Sequence, residues 1–531
     1  MAAIKRQFIQ HTFAGGWATA FGPFAPVAPD ENNTVKIPFL SEAKNVLFEL
    51  DGGPHKSPGT VKLNSSAVTG TTNIRGIFDY WKQGTGGSPT QKRVVHSGTE
   101  IYKDDADGSF ASLTGAIADL STTAVPNYET FDDLLIIASD ATSVADIPYS
   151  WDQSTFQALA GSPPNFAFSV RHKNALFASG VEANPSRLYF SDNLNPEVWS
   201  GGTSGSIDID PNDGDHITGI ISHRDELIVF KGPYKGSIHR ISGSVFGGST
   251  SDIARKSFIS GVGAVWQNGI FHLGDDVAFW WSDGTLRTLS ATAAFGDFRE
   301  ASLTAEIQDY LDVHLTFSAL RTIQVSVDST GRRVFCALPT DTVTTPNKIF
   351  VFDFRFNPGR WSLLEGYNAK SLALVQDSSI PILFFGGDDG FIRKFNQVSR
   401  TNDESSIAMN VKTPYLSYGV PHQSKTIEGA SLGAEPKSTA SITFGWKNDR
   451  ATQQTETFSF TGGFILNSTT LGVLDTDTLG GAFFQEVYRQ LETGGEFRTI
   501  QYEISNNADG IDVEIHSFST VIHLDGESME N

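Results

Sequence analysis

The sequence predicts an all-β chain: a β-propeller of about seven blades, with six or eight also open, then a C-terminal β-sandwich, with an extended N-terminal arm in front. Three observations carry this. A short theme of apolar run, tight Gly/Asp/Asn/Ser turn and second short strand keeps returning through the middle of the chain. Most returns are spaced by about 40 to 50 residues, the period of a propeller blade. After about Val398 the theme gives way to longer alternating strands.

The copies of the theme are VVHSGTEIYKDDADGSFASLTG (Val94 to Gly115), LLIIASD...IPYSWDQSTFQALAG (Leu134 to Gly161), ALFASG...RLYFSDNLNPEVWSGG (Ala175 to Gly202), LIVFKGPYKGSIHRIS (Leu227 to Ser242), GIFHLGDDVAFWWSDGTLRTLS (Gly269 to Ser290), KIFVFDFRFNPGRWSLLEG (Lys348 to Gly366) and ILFFGGDDGFIRKF (Ile382 to Phe395). Each alternates at period two or runs apolar for several residues, and D-G, N-P-G or K-G turns that tolerate positive φ divide it. Such a unit is a small antiparallel sheet that is marginal alone. Radial stacking hides both of its faces. The interval from Gly284 to Gly359 is long and the next, to Gly390, is short, which leaves the blade count open by one.

Taken in order, residues 1–72 lack the theme and are expected to form the N-terminal arm and first strands. GGWATAFGPFAPVAPDENN, Gly15 to Asn33, reads as extended or irregular. Ser41 is placed to cap a turn of helix over SEAKN, and VLFEL (Val46 to Leu50) is a strand running into the Asp51-Gly52-Gly53-Pro54 turn, a candidate for closing the ring. Residues 73–397 are the propeller. Within them Ala291 to Leu315 has Leu303, Ile307 and Leu311 at helical spacing and predicts one short helix, and Pro185 to Trp199 reads as a surface loop. Residues 398–531 hold six or so strands and predict the sandwich, ending in a frayed GESMEN tail.

Composition narrows the function classes. The 531 residues imply two or three domains, and the 39 Phe supply ample aromatic core. The single Cys336, in RRVFCALP, excludes a disulfide framework or a Cys/His zinc cluster within the chain and reads as a small buried apolar residue. No run is long enough to span a membrane as a helix, and MAAIKRQFIQHTF lacks the apolar core of a signal peptide. The net charge of −21 is spread without acidic blocks, which disfavours adhesion to nucleic acid or anionic membrane.

Candidate chemistry is sparse. DIDPNDGD, Asp208 to Asp215, starts like a calcium loop, but glycine stands at the seventh place and Gly219 replaces the closing Glu. DDADG (Asp104 to Gly108), GDD (Gly274 to Asp276) and GGDDG (Gly386 to Gly390) are read as turns. Ser282-Asp283-Gly284-Thr285 matches part of a sialidase Asp-box without its spacing, and a propeller glycosidase would need two converging carboxylates. His96, His223, His239 and His272 fall in or beside blade strands, and Lys92-Arg93 and Arg332-Arg333 on solvated faces. Gly84-Thr85-Gly86-Gly87 opens no helix and is a hairpin loop. No HExxH or P-loop occurs. No catalytic, cofactor-binding or metal residue is singled out, and no cofactor is expected.

The order of elements is itself informative. An N-terminal GGW, then AKNVLFELDGGPHKSPG (Ala43 to Gly59), then blades including SIDIDPNDGDHITGIISHRDELIVFKGPYKGSIHRISG (Ser206 to Gly243), then a sandwich, resembles the tail hub or nozzle proteins of tailed bacteriophages, chiefly short-tailed ones. The resemblance implies a non-enzymatic virion structural protein of the tail, synthesised in the host cytoplasm. It would form a homo-oligomeric ring, a hexamer, below the head-to-tail adaptor, with tail fibre or needle proteins as further partners. DNA would pass through its channel without specific binding during ejection. Two other classes stay open: a receptor-binding tail module that grips host glycan, and a propeller glycosidase.

Overall fold

The structure, a computed structural model, describes residues 5–68, 73–83, 87–105, 107–113, 120–121, 125–140, 147–243, 253–296, 301–378, 380–396, 400–403, 405–436, 439–449, 451–461, 484–491 and 495–524. By its internal contacts the chain divides into two compact units. One joins Met1–Val61, Phe350–Gly366 and Phe395–Asn531, and the other joins Lys62–Ile349 and Tyr367–Lys394.

The second unit is a propeller. Its sheets are Ile74–Lys82 with Thr90–Ser97, Glu100–Asp104 and Phe110–Ser112; Val125–Phe131 with Leu134–Asp140, Tyr149–Trp151 and Phe156–Ala158; and Phe168–His172 with Ala175–Ser179, Arg187–Phe190 and Gly205–Asp208. His216–His223 follows with Glu226–Gly232, Ser237–Ser242 and Ala254–Ser260, then Ile270–Leu273 with Asp276–Trp280 and Leu286–Thr288. The last is Ser371–Asp377 with Ile380–Gly386 and Ile392–Asn396. Among the described residues these are six sheets of three or four strands, and the hairpin Gln324–Asp328/Arg333–Leu338 stands between the fifth and the last. Successive innermost strands are neighbours, and Ser371–Asp377 lies beside Ile74–Lys82, so the circle closes.

Burial explains the continuous apolar runs. Ala175–Ser179 is buried at every position, because a neighbouring sheet covers each of its faces. Tyr80, Val94 and Ile101 of the first sheet pack with Leu135, Ile137, Tyr149 and Trp151 of the second. Phe230 of the fourth meets Phe279 of the fifth with ring centroids 5.0 Å apart. The approach is tight enough to exclude a side chain at Gly76, where a Cβ would lie 2.3 Å from Pro126 Cγ. The Asp132-Asp133 hairpin turn has positive φ at both residues, 51° and 59°, the primed geometry that suits strand twist.

A recurring turn precedes the outer strand. Asp107, Asp152, Asp283 and Asp389 each accept the backbone N–H two residues on, at 2.8, 2.9, 2.9 and 3.2 Å. Asp283 and Asp389 also pair with Arg287 and Arg393, four residues later, at 2.9 and 2.5 Å. The same short-range chemistry thus marks the same place in different sheets.

Closure is secured by chain that precedes the first sheet. Leu63 N donates to Ile392 O (2.8 Å) and Val68 N to Gly390 O (2.9 Å). The buried Asn64 amide reaches Gly390 O (3.1 Å) and Ser66 O (2.7 Å), and its oxygen accepts Ile392 N–H (2.9 Å). Val46 to Leu50, expected as the closing strand, does not serve. Val46–Phe48 pairs instead with Pro54–Lys56 in the other unit, because the Asp51-Gly52-Gly53 turn folds the chain straight back.

The first unit is a β-sandwich. One sheet orders Thr34–Ile37, Lys5–Phe13, Val513–Leu524, Lys425–Pro436 and Gln485–Gln490. The facing strands include Tyr415–Leu416, Ile500–Asn506, Met409–Lys412, Glu42–Lys44 and Arg360–Leu364, with Ala440–Asn448 beside Ile500–Asn506 and Gln454–Phe460 beyond it. Phe518 holds the layers together. It stacks on His11 (4.3 Å between centroids) and meets Tyr502 (5.1 Å) and Phe444 (5.6 Å) of the opposite layer.

Several expectations change. The sandwich is assembled from both ends and a central piece, so boundaries expected at 72/73 and 397/398 fall at 61/62 and 394/395, with 350–366 set apart from the propeller. Chain expected as an arm begins with the strand Lys5–Phe13, held by register with Val513–Leu524. Residues 15–33 are largely irregular, as read, but anchored: Trp17 is buried and its N–H donates to Trp361 O at 2.9 Å. SEAKN is not helical, since Glu42–Lys44 is drawn into a strand against Met409–Lys412. The single helix over 291–315 is two, Leu289–Phe295 and Gln308–His314, the first capped by the Thr288 side chain. Pro185 to Trp199 contains the strand Arg187–Phe190. Gly84-Thr85-Gly86 lies outside the described residues. No helix among the described residues is long and apolar enough to cross a membrane.

Asn64→Ala removes the side chain that joins the two ends of the propeller and strands the Ile392 N–H. Chemical denaturation should report a loss of roughly 2–4 kcal/mol in the propeller transition. An unchanged midpoint would show that the backbone alone holds the closure.

Candidate functional site

The acidic stretch Asp208 to Asp215 sends its carboxylates to separate partners. Asp208 takes Arg187 Nε and Nη2 (2.6 and 3.0 Å), and Asp210 takes Arg255 Nη1 (2.6 Å). Asp213 takes Lys231 Nζ (2.7 Å), and Asp215 accepts the N–H groups of Tyr234, Lys235 and Gly236 (2.9, 2.9 and 2.8 Å). The fully buried Lys231 ammonium also donates to Ile209 O and Asp210 O (2.9 and 2.8 Å). Three oxygens of the loop, from Ile209, Asp210 and Asp213, thus converge on the chain's own cation.

Asp283, the Asp-box-like residue, is a turn former: it accepts from Thr285 N and Oγ1 and pairs with Arg287. Arg93 is buried against Asp104 (3.2 Å) and Asp377 (3.4 Å), as a structural ion pair and not the solvated charge expected. Cys336 is buried in Arg333–Leu338, and burial pushes its thiol up to about 12. His96 is fully enclosed; burial, then the nearby Arg75 charge, lowers it to about 4. Burial likewise lowers His239 and His272, and His272 stacks on His223 at 5.9 Å. The structure does not bring these histidines together as one site.

The convergence of titratable groups lies in the sandwich. The Asp51-Gly52-Gly53 turn, Pro54–Lys56 and the strands Val513–Leu524 and Lys425–Pro436 bring together side chains far apart in sequence. His55 stands opposite Glu514, and Glu514 opposite Glu435, in one row across three strands. His55 bridges Glu49 (Nδ1 to Oε1, 2.8 Å) and Asp512 (Nε2 to Oδ1, 2.5 Å), and buried Arg400 adds a second cation on Asp512 (2.9 Å). Burial opposes charge on both, yet the Asp512 and Glu49 bonds hold His55 above its ordinary value, while His55 and Arg400 hold Asp512 far below the usual carboxylate range.

Beside this lies a second arrangement. Asp51 Oδ1 accepts Gly53 N–H (2.8 Å) and its Oδ2 meets His516 Nδ1 (2.6 Å). His516 Nε2 faces Glu435 Oε2 at 3.5 Å and Glu514 Oε1 at 3.7 Å. Burial raises Glu514, and the Glu49 and Glu435 charges add to that. For His516 burial is outweighed by the Asp51 bond and by the charges of Glu514, Asp51 and Glu435, so it is raised. The cluster concentrates negative charge around one imidazole and is suited to holding a cation. Sequence reading passed over these residues. The one available signal was E-x-H at Glu514 and His516, which puts both on one face of a strand.

The propeller offers a cleft of about 670 Å³ between its fourth and fifth sheets, lined by the turns at His223–Glu226 and Asp275–Asp276 and by Arg240 and Phe258. The Glu226–Arg240 pair (2.5 Å) crosses part of it.

The enclosed histidines set a pH response. Below about 6.5 the unfolded chain takes a proton that folded His96 refuses until about pH 4, so stability should fall as pH drops through that window. His96 alone should account for roughly 2 kcal/mol between pH 7 and 5, and His11, lowered to about 3, acts in the same direction. Denaturation of the His96→Gln variant should show that much less acid sensitivity.

No protein-family profile and no curated protein matches the chain. Among solved structures it is similar to the computationally designed Ika8 protein, with 11% identity over 63% of this chain and 99% of that one and a TM-score of 0.31. It is similar to YCF48 bound to a D1 peptide, with 8% identity over 66% and 97% and a TM-score of 0.36. An exo-β-1,3-galactanase from Phanerochaete chrysosporium with galactose matches at 9% identity over 87% and 100%, with a TM-score of 0.27.

Proposed function

We propose that the chain is a virion structural protein, a tail nozzle or hub subunit that forms a ring, a hexamer, below a head-to-tail adaptor and lines the channel through which DNA leaves. The reading rests on the ordered resemblance of Ala43 to Gly59 and Ser206 to Gly243 to that family. One observation supports it most: residues in both stretches serve as framework. Asn45, at φ 53°, donates to Ala408 O and accepts Glu365 N–H, and Lys56 Nζ is buried on Asn506 and Ala508 O. Lys231 fixes the loop before His216–His223, and Asp215 fixes the turn after Glu226–Gly232. Motifs that act as framework suit a protein whose work is done by shape and multiplicity.

Other features agree. A closed ring needs unlike faces that complement each other, and exposed apolar side chains occur in the sandwich at Phe8, Phe484 and Tyr488 and in the propeller at Leu194 and Tyr234. The −21 charge would keep a channel wall from holding phosphates, over a Debye length of about 8 Å at physiological salt. The reading gives the protein no catalytic role and places it in the virion tail after synthesis in the host cytoplasm. The cleft between the fourth and fifth sheets favours a second reading, a receptor-binding module that grips host glycan.

Electron micrographs of the purified protein, alone and with its adaptor, should show six-fold rings with a central hole. A trimeric mass with reproducible glycan-array hits would replace this reading with the receptor-binding one. Turnover of a fluorogenic sugar, lost on changing a propeller carboxylate, would replace it with a glycosidase.

A further inference from the structure

We infer that His516, Glu514 and Glu435 form a binding site for a divalent transition-metal ion of the zinc type, with Asp51 as the group that orients the imidazole. Four observations carry this. His516 Nε2 is buried yet has no hydrogen-bond partner. The two oxygens nearest it, Glu435 Oε2 at 3.5 Å and Glu514 Oε1 at 3.7 Å, are too far to accept a hydrogen bond well. They stand close to the spacing of about 3.4 Å that separates adjacent donors around a four-coordinate ion with bonds near 2.1 Å.

The second observation is the opposite ring nitrogen. Asp51 Oδ1 is fixed by Gly53 N–H, so its Oδ2 has a set position from which it accepts a hydrogen bond from Nδ1 at 2.6 Å. With the imidazole neutral, this turns the Nε2 lone pair toward the two glutamates, the carboxylate–histidine arrangement that orients metal-binding imidazoles, and a metal ion would bind there in competition with the proton. Third, Glu435 and Glu514 are directly opposed across neighbouring strands, a like-charge pairing that a cation held beside both would relieve. Fourth, donor atoms of His516, Glu514 and the orienting Asp51 lie within 4.8 Å of one another, and Glu435 joins them through its 3.5 Å approach to Nε2. The Phe484 ring flanks the imidazole edge to face, with ring centroids 5.8 Å apart. One nitrogen and two carboxylates leave a position for water and favour a borderline ion such as Zn²⁺ over Ca²⁺, which takes oxygen ligands and more of them.

The test is calorimetric titration of the full chain, stripped with chelator, with Zn²⁺ at pH 8. One equivalent should bind and raise the melting temperature. His516→Ala should weaken binding by at least about 100-fold and Glu435→Gln/Glu514→Gln comparably, while Asp51→Asn should weaken it by about 10- to 100-fold without abolishing it. No stoichiometric binding, or binding that survives His516→Ala or the double glutamine variant, overturns the site. Should His516→Ala fail to fold, Co²⁺ titration of the unaltered protein decides. Visible absorption of four-coordinate strength with hyperfine-shifted imidazole proton signals is expected, and their absence overturns the proposal.

Discussion

A ring of twisted sheets has two loose ends, and everything else in the propeller depends on how they are joined. Here the join is made by Leu63 to Val68 lying along Gly390 to Ile392, with the Asn64 amide satisfying both a donor and an acceptor of the last strand. With that edge covered, the final sheet presents its apolar face to the first one: Val375, Phe384 and Ile392 pack with Ile74, Ile77 and Val95. Each remaining sheet is then covered on both sides in turn. Local turn chemistry repeats around the circle because each sheet meets the same requirement, as the Asp283–Arg287 and Asp389–Arg393 pairs show.

The propeller was legible because its signals are local. Strand, primed turn and strand lie within about twenty residues of one another, and Asp132-Asp133 or Asp283-Gly284-Thr285 can be read without knowing what packs on them. The sandwich was half legible. Its C-terminal strands alternate plainly, but nothing in KRQFIQHTF announces that Phe8 will stand opposite Val521. Register across most of the chain's length is a tertiary fact. The same holds for SEAKN, whose helical composition yields to pairing with Met409–Lys412.

The titratable cluster illustrates the boundary between the two kinds of information. Glu514 and His516 are two apart on one strand, so their shared face could be read directly. Glu435 arrives only through strand pairing, and Asp51 only because the Gly52-Gly53 turn returns the chain alongside Val513–Leu524. The acidic run Asp208 to Asp215, which only starts like a calcium loop, is consumed by lysine, arginines and backbone amides. Spacing alone could not separate a run of carboxylates already matched with partners from a scattered set that still faces an open nitrogen.

The first unit draws on Met1–Val61, Phe350–Gly366 and Phe395–Asn531, and its strand Lys5–Phe13 is hydrogen-bonded to Val513–Leu524. On the ribosome this strand is made before the propeller and its partner after it. Throughout synthesis its edge stays open, while the propeller, encoded in between, can already condense. A nascent chain that stops early therefore displays an unsatisfied strand of the kind that chaperones and proteases engage, and only a polypeptide translated through Leu524 buries it.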